Sequence, residues 1–160
     1  MNHKSMAVLS TLRRIIRTID QNEKELSHLS GLTLPQLLIL QTLQAEQPMT
    51  TGTLANRMDL AQATVTSILD RLENKNLVER QRNQLDKRKV WIQLTPDGVA
   101  RLDAAPDTLQ SRFVERFENK KEWEQSMLIG SLECIAELLE APDIRTAPML
   151  DSGELTRSGE

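Results

Sequence analysis

Residues 79–95 read ERQRNQLDKRKVWIQLT. Val78, Arg80 and Arg82 alternate up to a polar tip, Asn83-Gln84-Leu85-Asp86. Lys87-Arg88-Lys89 then leads into a second alternation, Val90, Ile92 and Leu94. Period-two alternation on both sides of a short polar tip predicts a β-hairpin. Its basic residues cluster at the tip. A narrow positive finger on a rigid ribbon suits a nucleic-acid groove. A charged hairpin also suits a solvated sheet edge guarded against aggregation, so the hairpin alone leaves both readings open.

The segments before the hairpin shift the balance. Val65, Ile68, Leu69 and Leu72 follow helical spacing over about 62–75, and Asn76 suits a left-handed stop. A shorter helix with Leu54, Ala55 and Met58 precedes it, capped by Thr50, and Asp59-Leu60-Ala61 makes the corner between the two. Short helix, tight turn, second helix and basic hairpin is the order of a winged helix-turn-helix. On the outward side of the second helix stand Gln62, Ala63, Thr66, Ser67 and Arg71. Small residues let a helix approach base edges closely. Gln62 can donate and accept at an adenine, Thr66 and Ser67 can reach bases or phosphates, and Arg71 suits a phosphate or a guanine. A polar helix face also merely meets water; the joint pattern with a basic ribbon is what favours DNA.

Further out, residues 6–29 form a long amphipathic helix through Leu12, Ile15, Ile16 and Ile19, closed by Gly31. Thr33 and Gln36 make a capping box, with Pro35 in the tolerated first turn; the helix it starts runs through Leu43 and Ala45 until Pro48 breaks it. Thr95-Pro96-Asp97 opens another helix with the stripe Val99, Leu102, Leu109, Phe113 and Phe117, which Pro106 should kink or split. A last helix over about 122–140 carries two adjacent apolar stripes, 127/131/134/138 and 128/132/135/139. That width exceeds what one core face needs and predicts a dimer interface. The expected fold is mainly α with a small β-hairpin. Residues 1–32 form an N-terminal dimerisation helix and 33–95 the DNA-binding domain. Residues 96–141 supply C-terminal dimerisation helices, and 142–160 an extended or mobile tail.

Composition bounds the alternatives. Of 160 residues, 39% are apolar and 27% charged, which fits a soluble domain; aromatic residues are only 2%, so the core must be aliphatic. No apolar run approaches the ~18 residues of a membrane span, and the Arg-bearing N-terminus has no secretory h-region. One cysteine, Cys134, excludes an internal disulfide and fits a cytoplasmic location. It lies in an apolar stripe between Glu133 and Glu137, so packing is expected, not a redox role. The formal charge of −3 is uneven: residues 71–89 hold seven basic against three acidic groups. The local field, not the net charge, decides DNA binding. There is no Gly-rich phosphate loop and no nucleophile elbow. His3 falls in an expected disordered start, and His28 at a helix end. Two widely separated histidines and one cysteine do not make a metal site. No enzyme activity, cofactor or metal is expected.

The helix ATVTSILDRLENKNLVER at 63–80, the wing pattern Arg82-xxx-Asp86-x-Arg88 and Leu94-Thr95-Pro96-Asp97-Gly98 together resemble the MarR (multiple antibiotic resistance regulator) family of bacterial winged-helix transcription factors. The resemblance covers about residues 8–140. It implies a cytoplasmic regulator, usually a repressor, that binds double-stranded DNA at an inverted repeat as a homodimer with intertwined terminal helices. It implies that Asp86 orients Arg88, the minor-groove reader, with Arg82 and Lys87 beside it on the wing. One departure is Ala61, where the family often has a serine cap. A small-molecule effector is the family's usual switch, and the corresponding pocket would draw on Ile15, Ile19, Leu37, Leu40 and Phe113, residues that equally suit plain core. LRRIIRTID, GLTLPQLLILQ and APMLDSG also resemble a branch associated with compatible-solute genes, which implies a response to ionic strength. The alternative from another class is a winged-helix module that docks proteins without specific DNA binding.

Overall fold

In a computed structural model, residues 2–82, 89–141 and 149–150 are described. Helix α1 (His3–Ser30) opens on Asn2, whose side-chain oxygen accepts from the Ser5 N–H at 2.8 Å. His3 is thus the first helical residue, not part of a disordered start. The helix closes on Gly31 at φ +68°, a conformation that glycine adopts without the steric cost of a Cβ. Helix α2 (Leu34–Ala45) begins after Thr33, whose N–H donates to Gln36 Oε1 at 3.2 Å, and carries Pro35 in its first turn. Seven of its twelve residues are buried, most of them in its first half, while Gln41, Gln44 and Ala45 are exposed.

Strand β1 (Met49–Thr50) leads directly into α3 (Thr51–Met58), with Thr50 Oγ1 accepting from the Thr53 N–H at 3.1 Å. Asp59 turns the chain at φ +51° into α4 (Gln62–Asn74), and Asn76 at φ +58° turns it again into β2 (Val78–Arg82). Short polar side chains tolerate this left-handed region better than most non-glycine residues. Strand β3 (Val90–Leu94) returns antiparallel to β2, in the register Val78↔Leu94, Arg80↔Ile92 and Arg82↔Val90. β1 pairs with the other edge of β3, through Met49↔Ile92 and Thr50↔Trp91, giving the order β1-β3-β2. The hairpin is therefore the larger part of a three-stranded sheet.

Helix α5 (Pro96–Asp103) is capped by Thr95, and α6 (Leu109–Glu118) by Thr108, whose Oγ1 accepts from the Ser111 N–H at 3.0 Å. Pro106 lies between them: the expected long helix is split, because proline lacks the N–H that would continue the ladder. Helix α7 (Glu122–Leu138) completes the described elements.

The core gathers α2, α3, α4 and the sheet. Leu37, Ile39, Leu40, Leu43, Leu54, Val65, Leu69, Leu72 and Ile92 are all fully buried. Helices α6 and α7 bury no residue, and α1 buries only Leu26 and Ser30. Their apolar side chains, Ile16, Leu29, Met127 and Leu132 among them, stay exposed, as does Cys134. The expectation that Cys134 packs is not met within one chain: among the described residues nothing covers that face of α7 enough to bury it. Of the tail, Met149 packs against the core and the Leu150 N–H donates to Gln110 Oε1 at 3.3 Å. Residues 142–148 and 151–160 lie outside the described residues. Among the described residues no helix is long and apolar enough to cross a membrane.

Candidate nucleic-acid interface

The turn between α3 and α4 is held by backbone bonds, Leu60 N–H to Ala55 O at 3.0 Å and Val65 N–H to Ala61 O at 3.1 Å. Val65, Ile68, Leu69 and Leu72 of α4 point inward and are buried. This fixes the rotation of the helix about its own axis, so Gln62, Ala63, Thr66, Ser67 and Arg71 are all exposed on the opposite side. Ala61 makes no side-chain cap, as the sequence implied, so first-turn amides of α4 lack an internal acceptor. Thr66 Oγ1 donates to Gln62 O at 2.8 Å, which commits its proton to the helix and leaves the hydroxyl as an acceptor toward solvent. Arg71 makes no ion pair among the described residues, although Asp70 and Glu73 lie close by in sequence.

Those two carboxylates are engaged elsewhere. Arg80 stands on β2 between Val78 and Arg82, on the face that buries Ile92 and Leu94. Its guanidinium donates to Glu73 Oε2 and to Asp70 Oδ1, each at 2.6 Å. An arginine on the inner face of a sheet needs such partners, because a charge turned toward a core must be paired. Arg80 therefore ties the wing to α4, a role that sequence reading missed. Two residues further, Arg82 is exposed and forms no ion pair among the described residues. The wing tip, with Asp86, Lys87 and Arg88, lies outside the described residues; Lys89 at its edge is exposed. The outer face of the sheet carries Trp91 beside a polar cluster, in which Glu79 Oε1 accepts from Gln81 Nε2 at 2.9 Å and Gln93 Nε2 at 2.7 Å.

The Leu94–Gly98 segment locks the base of the wing. Thr95 Oγ1 donates to Asn76 O at 2.6 Å and accepts from the Gly98 N–H at 3.0 Å, while Asn76 Nδ2 donates to Asp97 Oδ2 at 2.9 Å. A Cβ on Gly98 would sit 2.0 Å from Leu77 O, a distance no packing tolerates. The glycine is there so that the start of α5 can touch the α4–β2 turn.

The five residues expected around an effector differ in burial, and none of them lines the cleft beside α1. Leu37 and Leu40 are fully buried core residues, Ile19 is half-buried, and Ile15 and Phe113 are exposed. Residues 34–37 at the start of α2 are all buried, so periodicity there could not tell a core leucine from a lining one. A small cleft of about 70 Å³ does open between α1 and the α5–α6 connection, lined by Leu26, Leu29, Pro106, Leu109, Arg112 and Leu150 among others. Arg112 spans its rim, donating to Asn22 Oδ1 at 2.8 Å.

This arrangement of helices and sheet has known counterparts. The model of the MarR family matches residues 32–90. The HTH-type transcriptional regulator YsmB of Bacillus subtilis (strain 168) is 33% identical over 122 residues, which are 76% of this chain and 84% of that protein. The chain belongs to the MarR family. Among solved structures, a MepR-like protein complexed with pseudoligands superposes with a TM-score of 0.61 at 28% identity, over 87% of this chain and 97% of that one. A mutant MarR from E. coli complexed with operator DNA superposes with a TM-score of 0.54 at 26% identity, over 78% and 93%. The winged helix-turn-helix expected over residues 33–95 is thus the MarR fold, and the relatives are transcriptional regulators, not enzymes.

Proposed function

We infer that this MarR-family chain is a cytoplasmic, sequence-specific DNA-binding regulator, a repressor, that grips an inverted repeat as a homodimer. The observation that carries the reading is the exposed face of α4, where Gln62, Ala63, Thr66, Ser67 and Arg71 stand clear of the core beside the basic wing strand. Small and polar residues on a helix rigidly held by four buried neighbours can enter a major groove, where the donor and acceptor code is unique for each base pair. Arg82 and Lys87 accompany Arg88, which enters the adjacent minor groove with Asp86 as its orienting carboxylate. The exposed apolar residues of α1, α6 and α7 supply the homodimer interface. Binding is modulated by a small molecule seated between those helices and the winged domain, where Ile15, Ile19 and Phe113 are open to contact, or by ionic strength acting on the phosphate contacts. A module that docks proteins without reading DNA would have no use for this face.

The test is a salt titration of affinity for a duplex selected by the protein and for random duplex. Gln62→Ala or Ser67→Ala should cost about 1–3 kcal/mol on the selected duplex and much less on random DNA. Arg88→Ala should weaken both and lower the salt slope by about one counterion, and Asp86→Ala should do part of that damage. Unchanged affinity and slope in Arg88→Ala would remove the wing from the interface and favour protein docking.

A further inference from the structure

The C-terminal end of α1 is capped by cations that come from elsewhere in the chain. The last carbonyls of a helix have no partner within it, and the end carries partial negative charge. In α1 the only basic residue of the last turn is His28. The carbonyls are met instead by Arg101 of α5, whose Nη1 donates to Ser30 O at 2.8 Å, and by Lys75, whose Nζ donates to Gly31 O at 2.6 Å. Lys75 also reaches Gln36 Oε1 at 3.5 Å, the same oxygen that accepts from the Thr33 N–H. Lys75 is the C-cap residue of α4, its own N–H bound to Arg71 O at 3.2 Å. One ammonium group thus joins the end of the DNA-reading helix to the end of the helix whose apolar face lies open to a second copy. Gly31 keeps room for this, because a Cβ there would stand 3.3 Å from Arg101 Nη1.

We propose that Lys75, directly from α4, and Arg101, from α5 whose start is bonded to the α4–β2 turn, are positioning residues that fix the winged domain and its α4 against α1 and so set the half-site spacing the dimer accepts. The proposal rests on the inverted-repeat reading above. In a two-fold dimer the two α1 helices define the frame, and each α4 must hold its place in that frame to fall into major grooves about one helical turn, ~34–36 Å, apart. Both side chains are exposed, so their loss opens no cavity and leaves each winged domain folded. What is lost is the rigidity of α4 relative to α1.

The experiment uses the full chain and a duplex selected by it from a random library. Three further duplexes carry the same half-sites one base pair closer, one base pair further apart, or one half-site alone. The wild type should lose at least about tenfold in affinity when the spacing is wrong, because the second half-site no longer engages. Lys75→Met combined with Arg101→Met should reduce that discrimination to about twofold, by weakening the best-spaced duplex while single half-site affinity stays within about twofold. Lys75→Arg, which keeps a cation in reach, should keep the discrimination. Unchanged discrimination in the double variant, or an equal loss on all four duplexes, overturns the proposal while leaving the inverted repeat standing. A wild type that binds the single half-site as tightly as the repeat overturns both.

Discussion

Leu40 in α2 and Leu138 in α7 are both leucines on apolar helix stripes, yet Leu40 is fully buried and Leu138 is 78% exposed. The contrast holds for the regions around them. The winged domain closes its own core: α2 sits inside a shell made by α3, α4, α5 and the sheet, and no buried side-chain polar atom among the described residues lacks a partner. Helices α1, α6 and α7 leave Ile16, Leu29, Phe113, Trp123 and Leu132 in the open. This many large apolar side chains left exposed on three helices point to an interaction surface. One part of the chain is finished by its own sequence, and the other is half of something. DNA reading is assigned to the finished part, spacing and symmetry to the unfinished one.

The largest effect should come from removing the unfinished part. Deleting residues 121–160 should abolish dimerisation, checked by sedimentation velocity, and weaken binding to an inverted repeat by about 10²–10⁴-fold through lost bivalency. A well-folded monomer with wild-type affinity would break the comparison. A cut inside the finished part should act on stability instead. Leu40→Ala should cost about 2–5 kcal/mol in urea unfolding, since nothing around a fully buried site can collapse without disturbing the core. Leu138→Ala should leave the winged domain's unfolding unchanged and shift only the dimer equilibrium.

Smaller effects sharpen the boundary between the two parts. Arg80→Met should cost about 0–1 kcal/mol of stability, given that its carboxylate partners are half exposed, but it should loosen the wing against α4 and weaken operator binding more than random binding. Equal loss on both duplexes would make Arg80 an ordinary phosphate contact. Cys134→Ala should be the mildest: DNA binding unchanged, with a loss of stability of less than about 1 kcal/mol that appears only in the dimer. Peroxide sensitivity of DNA binding in the wild type, absent in Cys134→Ala, would contradict a packing role across the interface.

The winged part was largely legible in the sequence, because its signals are local. Val65, Ile68, Leu69 and Leu72 announce both the helix and its buried side through the 3.6 period, and the exposed face follows by subtraction. Thr33 with Gln36, Thr95 with Pro96, and Gly31 each mark a helix end within four residues. What escaped depends on elements meeting in space. Strand β1 has two residues, too few for any period. The Arg80 ion pairs span seven and ten residues between a strand and a helix, and the Lys75 bond to Gly31 O spans 44. No spacing rule reaches that far. The effector residues mixed core with exposed surface, because Leu37 and Leu40 lie in a run of apolar positions, 37–40, that shows no direction.

If the open faces of α1, α6 and α7 pair two copies, one chain is half of the DNA-reading unit. Native mass spectrometry of the full chain with an inverted-repeat duplex tests it most directly. The expected complex has the mass of the duplex plus two chains of 18.2 kDa, with no one-chain complex at matched concentrations. A complex of one chain per duplex, formed with the same affinity, would contradict it.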